Sequence, residues 1–284
     1  MAIGRSGLTR CDFAGHPIRS ERSFRLLVDT PEGETNVEAE CVIDASGTYN
    51  QPVALGAGGI PAAGERSFGA RFIRNLGALH GSRDALRGKN ILLVGHGHSA
   101  ANAILMLAAV ADEWPGTHVV WATRSLNQRP CVEVFSDPLP ERQRVVAGAN
   151  QLAARPPAWL KMERRASVES VSEANGSFQV ALSGGRVAVC DEILALTGYR
   201  PDMAILSELA IDIASATEGS ARLAQALSNV TDCLSVPSVA PQDLDSGEPG
   251  FYLAGAKSYG RARTFLLKNG YVQVEAILDR IERN

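Results

Sequence analysis

The chain has 284 residues, 45% of them hydrophobic and 21% charged, with 28 basic residues against 31 acidic ones and a net charge of -3. That balance belongs to an ordinary soluble globular protein with one large or two smaller cores, and it creates no field favouring nucleic acid or an anionic membrane. No apolar run approaches the roughly 20 residues that span a bilayer, and "MAIGRSGLTRCDFAG" at the N-terminus lacks a signal peptide's apolar stretch, so a cytoplasmic location is expected.

In chain order, residues 21–48 read as β-structure: "SFRLLVDT", the turn signal "PEGE", then "TNVEAECVIDASG". Residues 50–69 are rich in Gly, Pro and Ala and read as a crossing linker. The apolar strand 90–95 feeds a glycine turn and then a helix from about Ser99 to Trp114, apolar on nearly every side and stopped by Pro115-Gly116. "THVVWATRS" is the second strand of a βαβ start, and residues 140–154 read as a further helix. Three short pieces, "SVESVSE", "SFQVALS" and "RVAVC", separated by "ANG" and "GG", read as an antiparallel meander. "DEILALTGYRPD" adds another apolar strand. "GFYLAGA" is the last one, before a helix from about Thr264 to Arg283 with Leu267, Tyr271, Val274, Ile277, Leu278 and Ile281 on one face.

Five cysteines stand singly, with no Cys-x-x-Cys, which removes a disulfide framework and dithiol redox chemistry. Cys131 and Cys233 read as small buried hydrophobes. His96 and His98 stand close together among the five histidines, but without zinc-ligand spacing, and no metal is expected.

The junction Gly95-x-Gly97-x-x-Ala100 has a specific physical use. Gly95 permits the tight turn, Gly97 lets a pyrophosphate reach the backbone, and Ala100 allows close packing of helix on strand. The helix N-terminus, with Ser99, then presents unpaired N–H groups and the positive end of the helix dipole to phosphate. An NAD-preferring site would place an acid at the end of the second strand. Here that strand ends in Thr123, Arg124 and Ser125, a guanidinium with flanking hydroxyls suited to a 2′-phosphate, so NADP is the expected nucleotide.

Together, "CVIDASGTYNQP", the glycine turn, "ILALTGYRPD" and "GFYLAGAKSYGRARTFLLKNGYVQVEAIL" resemble the flavin-containing monooxygenases and the related pyridine-nucleotide-disulfide-oxidoreductase-like flavoproteins, from about residue 20 onward. The resemblance implies an α/β fold in which a Rossmann-like NADPH domain with an antiparallel β-meander (89–198) is inserted into a partial FAD domain (1–48 and 199–284) through a linker (49–88). It implies FAD contacts at Ser46, Gly47 and Thr48 in the first crossing, at Thr197 and Gly198 in the return, and at Gly255, Lys257 and Thr264 near the flavin. It also implies hydride transfer from NADPH to FAD and on to oxygen or a small-molecule acceptor.

Residues 1–40 hold no strand–Gly-x-Gly-x-x-Gly–helix unit, so the expectation is a flavoprotein lacking the segment that grips the ADP half of FAD. The alternative is a non-catalytic NADP-binding remnant or sensor that holds FAD poorly. Three departures leave the subclass open: there is no Cys pair, Phe68-Gly69 is out of register with the monooxygenase signature, and Gly255-Ala256-Lys257 stands where many relatives have Gly-Asp. A ketoreductase would need Tyr-x-x-x-Lys, but Tyr252 is followed at that spacing by Ala256 and Tyr259 by Arg263. No general acid or base can be nominated. A small-molecule substrate is the expected partner, with neither nucleic acid nor membrane, and a homodimer is compatible with the sequence without being required by it.

Overall fold

The computed structural model describes every residue except Thr231, Ser238, Arg263 and Asn284. The chain forms two compact units, residues 1–51 with 199–284 and residues 52–198. No helix among the described residues is long and apolar enough to cross a membrane.

The first unit opens with β1 (Ala2–Arg5), β2 (Phe24–Thr30) and β3 (Gly33–Ala39), an antiparallel sheet in that order. The sequence gives β1 little signal, because its partner β2 lies beyond a long loop. β4 (Val42–Asp44) follows.

The second unit begins with α1 (Glu65–Phe68) and α2 (Leu76–Gly81), inside the stretch expected to be a linker. That expectation is corrected: Leu55, Ala62, Phe72, Leu79 and Leu86 are all buried. The organiser is the buried carboxylate of Glu65, which accepts the N–H groups of Leu55 (3.0 Å) and Ala62 (2.9 Å) and pairs with Arg74 (3.1 Å). A buried acid that gathers backbone donors converts a Gly/Pro-rich stretch into fixed structure.

β5 (Asn90–Val94), α3 (His98–Glu113), β6 (His118–Ala122), α4 (Pro140–Ala154) and β7 (Leu160–Glu163) come next. The meander β8 (Val168–Ala174), β9 (Ser177–Leu182) and β10 (Arg186–Cys190) is antiparallel as expected, and β11 (Glu192–Ala195) closes the unit. The parallel sheet runs β11-β5-β6-β7. Strand alternation divides its two faces. Ile91 and Leu93 join the core with Ala100, Ile104, Leu107 and Trp121 under the helices, while Leu92 and Val94 join Val171, Phe178 and Val180 under the meander.

The chain then returns to the first unit with α5 (Ala221–Ala226), β12 (Phe251–Leu253), α6 (Ala256–Tyr259) and α7 (Leu267–Arg283). β12 pairs in parallel with β4, Phe251 opposite Val42 and Leu253 opposite Asp44.

One expectation about α7 needs correction: it begins at Leu267 rather than Thr264. Most of its apolar stripe faces outward, and its buried face carries Gly270, Gln273 and Ile277. The reason is the side-chain amide of Gln273, which accepts from Gly255 N (2.9 Å) and donates to Ser258 Oγ (3.0 Å). These buried hydrogen bonds fix the helix rotation more tightly than apolar contact does.

The first unit is also tied across its sequence by Glu248. Its carboxylate pairs with Arg5 (2.8 Å) and Arg19 (2.7 Å), all three side chains almost wholly buried, and accepts Ala210 N (2.9 Å). Arg19 in turn donates to Thr9 O and Asp12 O, so the β1–β2 loop hangs on this cluster. Burial by itself would raise the Glu248 carboxyl, but the hydrogen bonds from Arg19 and Arg5 outweigh it and hold the group below its usual range.

A depressed carboxylate contributes stability above its unfolded pKa and loses it as pH falls through the folded one. The acid limb of a pH–stability curve is therefore expected below about pH 4.3, the unperturbed Glu value. Glu248→Gln should cost about 3–5 kcal/mol at neutral pH by leaving two buried guanidiniums unpaired, and should flatten that limb in denaturant melts. An unchanged limb would refute the assignment.

Candidate functional site

The turn after β5 is built by close approach. Gly95 has φ 127°, and a Cβ there would collide with the carbonyl oxygen of Leu196, just past β11. Gly95 O accepts Trp121 Nε1 (2.7 Å) and Gly95 N donates to Ala122 O (3.2 Å), so the turn is fixed to the end of β6 as well. Gly97 has an ordinary φ of -80° and caps α3 without a side-chain bond. A Cβ on it would meet nothing within 4 Å.

The first helical bond of α3 is Ala101 N to Gly97 O, which leaves the N–H groups of His98, Ser99 and Ala100 without intrahelical acceptors. Ala100 is fully buried, as close packing of helix on strand requires, and Ser99 is exposed. The residues present thus form an open cradle with three free donors and a dipole end, which fits the pyrophosphate of a dinucleotide.

At the end of β6 the expected trio divides. Thr123 is buried: its N–H donates to Glu163 O, its carbonyl accepts Ala166 N and its hydroxyl donates to Ser125 O. Thr123 is therefore a strand-end staple and not a phosphate donor, a correction that follows from its position between β6 and β7. Arg124 is exposed, and among the described residues no ion pair or side-chain hydrogen bond engages it.

A second arginine went unnoticed in the sequence. Ala122 pairs with Glu163 across β6 and β7, so Arg124 and Arg165 leave adjacent strands at the same level, and Arg165 N donates to Ser125 O (3.3 Å). "ERRAS" directly after an apolar strand was the signal available. The neighbouring acid, Glu163, is buried; its burial is outweighed by Lys161 (2.9 Å) and Arg186 (2.7 Å), which hold it ionised and paired.

The loop from 124 to 139 is anchored by the buried amide of Asn150, which accepts Cys131 N (2.9 Å) and donates to Cys131 O (3.0 Å). Burial pushes the Cys131 thiol up to about 11, so it is no nucleophile at neutral pH. Cys233 is half-buried.

The residues implied for the flavin end fall as follows. Ser46 donates to Asp44 Oδ1 through both N (3.0 Å) and Oγ (2.7 Å). Lys257 is wholly buried, pairs with Asp44 (2.6 Å) and donates to Ser46 Oγ (3.1 Å). Lys257 is thus consumed by an internal ion pair, which corrects its reading as a cofactor-facing cation. Gly47 lies in a turn with φ 75°, and Thr48 O accepts Gln51 N.

Gly255 has φ 63° and is bound to Gln273. Thr264 is buried with its hydroxyl unpartnered, and it precedes α7 rather than standing in its first turn. In the second unit Thr197 donates to Val53 O and Gly198 O accepts Val53 N (2.9 Å), so both tie the return segment to the outgoing one.

The structure brings Gly95, Gly97, Ser99, Ala100, Thr123, Arg124 and Thr197 to the carboxyl ends of parallel strands β5, β6 and β11, the edge where α/β sheets bind ligands. Ser46, Lys257 and Gly255 meet in the other unit through the β4–β12 pair. In that unit the only strand–glycine–helix junction among the described residues is β12–Gly255–α6, whose helix is four residues long, and its sequence is not Gly-x-Gly-x-x-Gly.

The sequence matches no family model and no curated protein. Among solved structures, the fold is similar to the bacillithiol disulfide reductase Bdr from Bacillus cereus, at TM-score 0.65 and 16% identity over 99% of this chain and 71% of that one. It is similar to thioredoxin reductase from T. acidophilum, at TM-score 0.56 and 14% identity over 98% of this chain and 74% of that one. It also resembles the water-forming NADH oxidase from Lactobacillus brevis, determined bound to NADH, at TM-score 0.57 and 15% identity over 92% of this chain and 50% of that one. The fold is that of these oxidoreductases.

Two glycine substitutions separate the cradle from the fold. Gly97→Val should leave the melting temperature within a degree or two while weakening dinucleotide binding at least tenfold, because its side chain enters the space a phosphate would take. Gly95→Ala should destabilise the fold by more than the roughly 1–3 kcal/mol that positive φ costs, because its Cβ also collides with the Leu196 carbonyl. Calorimetry and thermal melts on both variants check this, and a Gly97→Val variant that binds normally would remove the cradle.

Proposed function

We propose that the chain is an NADPH-binding oxidoreductase of the flavoprotein type, with NADPH seated on the glycine turn of the second unit. The observation that carries this reading is the cradle itself, a strand, a glycine forced into close approach, an open Gly97 and three unpaired N–H groups at the head of α3. His98, Ser99 and Ala100 would bind the pyrophosphate through their backbone. Arg124 would bind the 2′-phosphate as a charge-assisted donor, with the Ser125 hydroxyl beside it. Bound NADPH supplies hydride, and the buried Trp121–Gly95 bond holds the turn that orients it.

Acceptance of that hydride by FAD is the reading implied by the resemblance. A second reading, a dinucleotide binder that holds FAD poorly, is favoured by the Lys257–Asp44 pair, which turns inward the cation expected to face the flavin.

Titration calorimetry with both nucleotides tests the first reading. Arg124→Ala should weaken NADPH binding by about 1.5–3 kcal/mol and leave NADH nearly unchanged; equal losses would mean that Arg124 shapes the fold. The purified chain should carry substoichiometric FAD by visible absorption, with little NADPH oxidase activity. Tight one-to-one FAD binding would overturn the second reading and show that another part of unit one cradles the pyrophosphate.

A further inference from the structure

The outward stripe of α7 is a regular row of exposed apolar residues on the first unit. Leu267, Tyr271, Val274 and Leu278 are 64, 62, 41 and 48% exposed. They are spaced four, three and four residues apart, and half-buried Ile281 continues the series three residues on. That 3.5-residue repeat is the seam by which one helix lies along another. Scattered exposed apolar residues need no explanation, but a contiguous row on a helix about 25 Å long marks an interaction face.

Charges decide what covers it. Lys268, Glu275 and Glu282 run along one border of the stripe at seven-residue intervals, all exposed and none in an ion pair or side-chain hydrogen bond. The other border is Gly270 and Ile277, both buried against the helix's own unit. A parallel pair of such helices would set the charged border of one against the uncharged border of the other. An antiparallel pair sets charged border against charged border, with Lys268 of each copy opposite Glu282 of the other and Glu275 at the axis.

We propose that two copies of the chain associate through an antiparallel pairing of α7 about a two-fold axis near Glu275. The contact is isologous, so the Lys268–Glu282 complementarity occurs twice and the apolar seam is shared equally. The like charges of Glu275 at the axis weaken the pair without changing its direction, which raises the concentration at which the dimer forms.

Sedimentation of the full chain over a range of concentrations tests this. The wild type should show a reversible monomer–dimer equilibrium. Val274→Glu should abolish the dimer while leaving circular dichroism and melting temperature unchanged, since the position is exposed. Lys268→Glu should raise the dissociation constant about tenfold or more by placing acid against acid, and adding Glu282→Lys should restore it. A monomer at every concentration, assembly insensitive to Val274→Glu, or failure of the second substitution to rescue the first would each overturn the proposal.

Discussion

Gly95 lies so close to the backbone of Leu196 that no side chain fits between them, and the proposed nucleotide cradle depends on that approach. It lets β5 turn sharply into α3 while remaining hydrogen-bonded to β11, and it places the Gly95 carbonyl where the Trp121 indole can hold it. The same turn leaves α3 starting at the carboxyl edge of the sheet with its first donors unpaired. Four elements, β5, β6, β11 and α3, are therefore fixed relative to one another by a contact that only glycine permits.

The first unit solves a different problem. Its parallel pair β4–β12 has three residues in each strand, too little sheet to stand alone. Buried polar groups do the organising instead: Glu248 between Arg5 and Arg19, Asp44 between Lys257 and Ser46, and Gln273 between Gly255 and Ser258. Each joins residues far apart in sequence. Lys257 turns inward onto Asp44, and its charge is spent on the fold.

Much of the second unit was legible in the sequence, because periodicity and turn chemistry are local. Strand 90–94, the helices at 98–113 and 140–154 and the three-stranded meander all declared themselves through apolar spacing and Gly-containing turns. What escaped was set by long-range partners. The stretch 49–88 looked like a linker until Glu65 gathered N–H groups within it, and β1 becomes a strand only beside β2. Which face of α7 is buried was not legible, because hydrophobic spacing cannot anticipate a buried glutamine. Thr123 and Lys257 had suitable chemistry for a cofactor, but strand pairing and an ion pair claimed them first. Arg165 was missed because its nearness to Arg124 comes from the β6–β7 register.

The central claim is that NADPH sits on the N-terminus of α3 with its 2′-phosphate at Arg124. Hydrogen–deuterium exchange of the chain with and without nucleotide tests it most directly. NADPH should slow exchange at the amides of residues 97–100 and 124–126, whereas NADH, at a concentration giving equal occupancy, should protect the first segment and leave the second unchanged. Protection elsewhere, or equal protection of both segments by the two nucleotides, would contradict the account.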